Sequence, residues 1–331
     1  MRTSSPHFSL AFATIAGLAL LIQPTFAGLF GSRFAPPPED RDTIVLAQIH
    51  LDELMLGPGK IDGDMGEFTK QAAALFNQKH RIDDPANWWR LLRDAERRVK
   101  SAYTYYTIQD ADLNFVGDLP TEPAEQQNVE YLSYRRILEF VSERFHTDEK
   151  FLREINPNVN VDNLLPGQQL LVPNVSPFRI ESIPTHARYE ADEKLSSRTV
   201  YVDTKSRVVK IYDKGVLLAN FPITPGADEF IPYGDWSVQV MVSTPEFRWD
   251  EKMLKEGERG ADDTAFQLPP GPNSPVGILW AGLDKSGIGL HGTSSPHTIG
   301  RSRSAGCIRL ANWDAIRLPG LLRPGAKVLV R

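Results

Sequence analysis

The sequence predicts a multidomain chain in which small α-helical modules precede an all-β C-terminal domain. Three observations lead there. The chain has 331 residues, more than the roughly 100–200 of one domain, which gives a prior of two or three domains. Apolar side chains recur at helical spacing between Thr43 and Lys79 and again between Ile137 and Ile155. After Arg198 the period drops to two: Val200/Val202, Val209/Ile211, Val216/Leu218, Val238/Val240 and Val328/Val330 are short alternating runs separated by Gly, Pro and Asp. Hydrophobic residues make up 41% and charged residues 24% of the chain, so it can build real cores and is not disordered over most of its length. With 37 Lys+Arg against 42 Asp+Glu, the net charge of −5 lacks the basic footprint of a nucleic-acid binder.

Residues 1–27 read as a secretory signal peptide. Arg2 is a minimal positive start, Phe8 to Ile22 is apolar apart from Ser9, Thr14 and Gly17, and Thr25-Phe26-Ala27 ends the run with a small-x-small cleavage signal. The run is shorter than the roughly 20 residues of a membrane span. No twin Arg precedes it and no Cys follows the cleavage point, which argues against a twin-arginine route and a lipid anchor. The expectation is an exported protein of the periplasm or cell wall, with no integral membrane segment after cleavage. Residues 28–41, with Pro36-Pro37-Pro38, are expected to form a flexible lead. A helical domain over 42–100 contains a hairpin around Gly57-Pro58-Gly59 and the stretch Asp62-Gly63-Asp64-Met65-Gly66. In 101–175, Ile137, Phe140, Val141 and Phe145 mark one helix, and Phe151, Leu152 and Ile155 a shorter one stopped by Asn156-Pro157. Leu164-Leu165-Pro166-Gly167 then leads into a strand from Gln169 to Val172. The polar stretch 176–197 is expected to be a linker, and 198–331 the β domain.

Cys307 is the only cysteine. In an oxidising compartment a lone thiol is intermolecular, inert in a core, or kept for its reactivity. His291-Gly292-Thr293 precedes Ser304-Ala305-Gly306-Cys307-Ile308-Arg309-Leu310 by a loop that a β-arch can close. A thiol of reference pKa about 8.5 is only slightly ionised at neutral pH, and a neighbouring imidazole raises its reactive fraction. Gly306 lets the backbone pass close to a substrate carbonyl, and the amides of Gly306 and Cys307 can point at a developing oxyanion. Two other readings use the same residues. His291, His297 and Cys307 could ligate zinc, although no carboxylate or second Cys sits at customary spacing. A buried, satisfied His291 beside an inert Cys307 is the third possibility.

Three segments resemble known families. Ile61-Asp62-Gly63, Gly66, Thr69, Ala72 and Phe76 resemble the core of the peptidoglycan-binding helical domain. Residues 137–173, with Glu143-Arg144-Phe145, Leu152, Asn156-Pro157 and Leu164 to Leu170, resemble a LysM module. The resemblance implies a β-α-α-β fold that binds N-acetylglucosamine-containing glycans. Its opening strand is missing just before the first helix, and Tyr106-Thr107-Ile108-Gln109 is the candidate for it, displaced by an insertion. Residues 198–331 resemble an L,D-transpeptidase catalytic domain of the YkuD type: His291-Gly292-Thr293, Pro296, Ile299-Gly300, Ser304, Gly306-Cys307-Ile308-Arg309 and Asn312 carry its signature. Leu268 to Gly277 and Gly287 to Leu290 match the approach to it. Ala305 stands where many members carry His.

The last resemblance implies a β-sandwich-like domain in which Cys307 is the nucleophile, His291 the general base and the Gly292 carbonyl the group that orients the imidazole. Gly306 and Ser304 would support the oxyanion, Arg309 would hold the motif or a stem carboxylate, and Tyr233 and Trp280 are candidate pocket walls. No cofactor and no metal are implied. The implied reaction acylates Cys307 with the meso-diaminopimelate carbonyl of a murein tetrapeptide, releases D-Ala and forms a 3→3 cross-link with a second stem. An L,D-carboxypeptidase, a lipoprotein-anchoring transferase and a non-catalytic wall-binding protein remain alternatives. The expected partners are peptidoglycan stem peptides and glycan strands, with the protein a monomer. The long charged segment from Thr244 to Pro270 is expected to cap the donor groove.

Overall fold

The first helix begins where the sequence supplies a cap. In the computed structural model, which describes residues 34–226, 230–256, 265–301 and 306–331, the Asp40 carboxylate accepts from the Thr43 amide at 2.9 Å. This opens α1 (Arg41–Glu53), which packs with α2 (Glu67–Lys79) and α3 (Trp89–Arg98). Ala47, Leu51, Leu56, Ala72, Phe76 and Leu91 form the centre of that three-helix cluster. The turn between α1 and α2 is organised by Gln48. Its Oε1 accepts from the amides of Asp62 (3.1 Å) and Gly63 (2.9 Å), and its Nε2 donates to Asp62 Oδ1 (3.2 Å) and Thr69 Oγ1 (3.1 Å). The residues that suggested a peptidoglycan-binding core are thus the ones that fold this turn. The expected signal peptide lies outside the described residues. The lead is tethered from Ala35 onwards: Ala35 is buried, its amide donates to Asn87 Oδ1 (3.2 Å), and its carbonyl accepts from the Trp88 amide (2.7 Å). Partners so distant in sequence leave no local signal, so the expectation of flexibility fails for this part of the lead.

The second module is built from β1 (Tyr103–Thr107), α5 (Ile137–Arg144), α6 (Glu149–Ile155) and β2 (Gln169–Pro173), with the short α4 (Pro123–Gln126) in the segment between β1 and α5. The two strands pair antiparallel from Tyr103↔Pro173 to Thr107↔Gln169. A paired strand therefore precedes the insertion, but it runs over Tyr103–Thr107 and shares only Tyr106 and Thr107 with the expected segment. The stretch expected to be a linker is docked along its length: Phe178 and Ile180 are buried, and Glu181 grips Arg144 through two bonds of 3.0 and 2.9 Å. Tyr189 donates its amide to the Met241 carbonyl at 2.9 Å, just before α7 (Glu193–Ser196).

The C-terminal domain contains β3 (Thr199–Asp203), β4 (Val208–Asp213), β5 (Val216–Pro222), β6 (Gly234–Ser243), β7 (Phe247–Trp249), α8 (Glu251–Glu256), β8 (Phe266–Leu268), β9 (Leu279–Leu283), β10 (Gly289–His291), β11 (Ile308–Arg309), α9 (Asn312–Ala315), α10 (Leu318–Leu321) and β12 (Lys327–Val330). Eight of these strands form one mixed sheet in the order β11-β10-β9-β6-β12-β3-β4-β5. Strand β6 turns the corner: it pairs with β12 over Gly234–Ser237 and with β9 from Val238 on, with a register shift between Val238 and Val240. The sheet's two edges meet where Thr224 and Arg309 exchange backbone hydrogen bonds of 2.9 and 3.0 Å. The sandwich-like layers are thus one folded sheet, and Val200, Val209, Ile211, Phe221, Leu290 and Val328 lie among its buried side chains. Strands β7 and β8 form a separate two-stranded ribbon.

Residues 34–331 form one unit, and a buried charge cluster draws on all three modules. Asp52 of α1 accepts from Arg317 Nη2 at 2.6 Å and lies 3.2 Å from His146 Nδ1 of the second module. A carboxylate can only accept, so Nδ1 carries the proton. The His146 ring stacks on Trp313 with centroids 5.5 Å apart. Arg317 and His146 hold the Asp52 carboxyl well below its ordinary range despite burial, and burial keeps His146 neutral. Asp52→Ala strands a buried guanidinium and is expected to lower unfolding free energy by about 3–5 kcal/mol, measured by denaturant titration. Because the Asp52 pKa is depressed, its contribution is present above the unfolded carboxylate pKa and lost as pH falls through the folded one.

Candidate active site

Strands β10 and β11 lie side by side and parallel, with Leu290 opposite Ile308 and His291 opposite Arg309. Side chains alternate across a sheet, so Leu290 and Ile308 point into the core, where both are buried. His291 and Arg309 take the other face. Cys307, two residues before Arg309, shares it. All three line one cleft of about 470 Å³.

Within it the imidazole is held from two directions. His291 Nδ1 lies 2.6 Å from the Gly292 carbonyl. A carbonyl only accepts, so Nδ1 is the protonated nitrogen and Nε2 is left with its lone pair. The Trp280 indole stacks on the ring at 5.6 Å with a 26° interplanar angle. Burial pushes the imidazole down to about 4, against an opposing pull from the Gly292 carbonyl. The Cys307 thiol points at the Gly287 carbonyl, 3.4 Å away. Burial pushes it up to about 11, with the Gly289 backbone and the Arg309 guanidinium pulling the other way. Imidazole and thiol are therefore both neutral at rest. The thiol proton therefore has to pass to a base as the new bond to sulfur forms.

Gly306 sits at φ +104°. A Cβ there would meet the Phe230 carbonyl oxygen at 2.8 Å, so the approach to Cys307 is one that only glycine makes without strain. The cleft's far wall comes from the Thr244–Pro270 segment, through Phe247, Met253 and Leu254 among others. Its β7–β8 ribbon rests on the second module: Phe247, Trp249, Phe266 and Leu268 pack with Leu119, Val129 and Leu132 of the insertion after β1. The Leu132 amide donates to the Pro270 carbonyl at 2.8 Å.

Trp280 is a wall of the cleft, and Tyr233 is not. Tyr233 is 57% exposed and stands just before the end of β6 that pairs with β12, whereas Trp280 pairs with Val242 at the other end of that strand. Its apolar ring beside Pro232 gave the sequence reading no way to tell the two ends apart. Ser304 lies outside the described residues. His297 lines a different groove, with Lys60 and Glu67 of the first module, so the three candidate zinc ligands do not converge. Among the described residues no group of three His, Cys, Asp or Glu could hold a metal ion.

Residues 197–330 match the family model of the L,D-transpeptidase catalytic domain named YkuD, and residues 137–173 match that of the LysM domain. The chain carries an L,D-transpeptidase catalytic domain. It is 25% identical over 193 residues to the L,D-transpeptidase YkuD of Bacillus licheniformis, covering 58% of this chain and 92% of that protein. To YqjB of Bacillus subtilis, which bears the same enzyme name, it is 30% identical over 112 residues, covering 32% and 55% of the two chains. Among solved structures, L,D-transpeptidase 3 from Mycobacterium tuberculosis with a faropenem-derived adduct aligns at TM-score 0.33 and 15% identity over 51% of this chain and 76% of that one. The Enterococcus faecium L,D-transpeptidase C442S mutant aligns over 50% of its own length at TM-score 0.30 and 18% identity.

The transpeptidase domain also contains a support that single-residue reasoning did not reach. Asn312 Oδ1 accepts from the amides of Thr293 (3.1 Å) and Ile278 (3.3 Å). The residues before those two amides are Gly292 and Gly277, and a Cβ on either would lie 2.1 Å from Asn312 Oδ1. Both glycines of the motif therefore make room for one carboxamide. Gly306→Ala is expected to destabilise the transpeptidase domain by about 1–3 kcal/mol and to slow acylation of Cys307. Thermal melting and intact-protein mass after exposure to a carbapenem check the two effects separately.

Proposed function

We propose that this chain is an exported enzyme that builds 3→3 cross-links in peptidoglycan, with Cys307 as nucleophile and His291 as general base. The observation that carries the reading is the shared face: Cys307, His291 and Arg309 line one cleft from paired strands, with the imidazole's Nδ1 committed to Gly292. Nε2 takes the thiol proton as sulfur attacks the carbonyl at the L-centre of meso-diaminopimelate in a tetrapeptide stem. The tetrahedral oxyanion faces the amides of Gly306 and Cys307, beside the Arg309 guanidinium. As the carbon–nitrogen bond breaks, His291 returns the proton to the leaving D-Ala amine, and a thioester remains on Cys307. An amine of a second stem then attacks the thioester. His291 accepts the amine's proton and gives it to the departing sulfur, which restores the thiol.

The wall formed by Phe247, Met253 and Leu254 favours aminolysis over hydrolysis, because an apolar cap shields the thioester from bulk water while a bound stem amine displaces little of it. This supports the transferase reading over that of an L,D-carboxypeptidase, and it supports the reading of the Thr244–Pro270 segment as a cap. The LysM module and the Gln48-centred helical module, by their resemblance, would hold glycan strands near the cleft. No helix among the described residues is long and apolar enough to cross a membrane.

The test is product analysis by mass spectrometry of purified muropeptide tetrapeptides incubated with the mature chain. Cross-linked dimer and released D-Ala are expected. Cys307→Ala is expected to give neither, and His291→Ala to lower the rate by about 10²–10⁴-fold. Free tripeptide without dimer would replace this reading by the hydrolytic one, and full activity of Cys307→Ala would end both. Replacing Met253 and Leu254 together by Ala is expected to raise the ratio of hydrolysis to transfer in the same assay, with the acylation rate little changed.

A further inference from the structure

We propose that Glu143, on helix α5 of the LysM module, is a positioning residue for the catalytic imidazole, so that the wall-binding module completes the active site of its neighbour. The inference rests on the reading of His291 as base. The connection is a chain of hydrogen bonds that crosses the module boundary. Glu143 Oε1 accepts from Asn312 Nδ2 at 2.9 Å, and the same oxygen accepts from the Tyr134 hydroxyl at 2.8 Å. Asn312 Nδ2 also donates to the Pro272 carbonyl, at 3.3 Å. With Nδ2 fixed in this way, Asn312 Oδ1 must face the Thr293 and Ile278 amides. Thr293 follows Gly292, whose carbonyl holds His291 Nδ1. Glu143 thereby sets the orientation of a carboxamide, the carboxamide sets the turn, and the turn's carbonyl sets the tautomer and direction of the ring.

Burial distinguishes this chain from an incidental surface contact. Glu143, Asn312, Tyr134 and Thr293 are all nearly solvent-free, so a lost partner cannot be replaced by bulk water. Burial also pushes the Glu143 carboxyl up to about 8, with Glu139 adding to it and the bonds from Asn312 and Tyr134 pulling it down. The group therefore accepts these two bonds as a mainly neutral acid at neutral pH. A glutamine amide oxygen can do the same.

The experiment measures the rate of carbapenem acylation of Cys307 in the full mature chain, by intact mass, as a function of pH. It is done below the melting temperature of every variant. Glu143→Gln and Tyr134→Phe are expected to match wild type, because both keep the oxygen that Asn312 needs. Glu143→Leu is expected to lower the plateau rate about ten-fold or more, the scale of a buried hydrogen bond lost in a working geometry. Its ascending limb is expected to move to lower pH, because an imidazole less firmly bonded to the Gly292 carbonyl is a weaker base. Should Glu143→Leu fail to fold, Glu143→Asp, whose carboxyl ends one methylene short of Asn312, is expected to show the same two changes. A folded Leu or Asp variant with the wild-type rate and profile overturns the proposal, as does a Gln variant impaired as much as Leu. His291→Ala with an unaltered wild-type profile would instead overturn the catalytic reading, which keeps the two failures apart.

Discussion

The geometry of the cleft depends on the carboxamide of Asn312. Its oxygen gathers the amides of Ile278 and Thr293 from two loops, and its nitrogen reaches Glu143 and Pro272. A side-chain amide offers two donors and one two-fold acceptor at fixed angles, so satisfying all of them leaves little choice in how the loops lie. Gly277 and Gly292 are consequences of this: each leaves the space that the carboxamide fills. Asn312 also begins α9, which places the node at the start of the helix that carries Trp313 and precedes Arg317, two residues that meet the N-terminal modules.

The modules are not beads on a flexible string. Val45 and Ile49 of α1, Phe140 and Val141 of the LysM module and Leu310 and Trp313 of the transpeptidase domain belong to one contiguous core. The Asp52–Arg317 ion pair, with the neutral His146 on the same carboxylate, ties the same three parts together. Such a cluster stabilises less than its distances suggest, because each charge is desolvated, but it accepts only one relative arrangement. For a wall-building enzyme that matters. A glycan strand held by a module at a fixed place relative to the cleft delivers its stem peptide over a restricted range of positions, whereas a module on a loose tether delivers it anywhere within reach.

What could be read from the sequence was what local pattern encodes. Helices α1, α2, α5 and α6 follow from their apolar spacing, which does not reach α3 or α4, and the Cys307 motif stands beside β11 as its alternation implies, with Ile308 inward and Arg309 outward. The displaced LysM strand was recognisable because its partner, Gln169 to Val172, lacked one. The failures share a different cause. Ala35 and Tyr189 look like lead and linker because their partners, Asn87, Trp88 and Met241, are supplied by other parts of the chain. Tyr233 misleads because β6 serves two halves of a bent sheet, and only the register shift at Val238 to Val240 shows which half faces the cleft. Glu143 and Asn312 each sit in a recognisable motif, yet the bond between them spans 169 positions and belongs to neither family pattern.

The neutral resting state of the pair gives the cleft wall a consequence. A thiolate–imidazolium pair in an open cleft would be reactive toward any oxidant or alkylator that reached it. Here burial holds the thiol at about 11 and the imidazole at about 4, so ionisation at rest is disfavoured on both sides, and proton transfer becomes favourable only as a bond to carbon forms. That defers reactivity to the moment a substrate carbonyl is in place. On the proposed mechanism it also demands a dry site, since water entering the cleft would solvate the ion pair and later hydrolyse the thioester. The wall on the side of Phe247, Met253 and Leu254 leans, through the β7–β8 ribbon, on Leu119, Val129 and Leu132 of the LysM insertion. The segment that displaces the LysM opening strand from its usual place thus supports a wall of the Cys307 cleft. This gives a physical reason for the insertion to interrupt the module between β1 and α5, next to the β7–β8 ribbon.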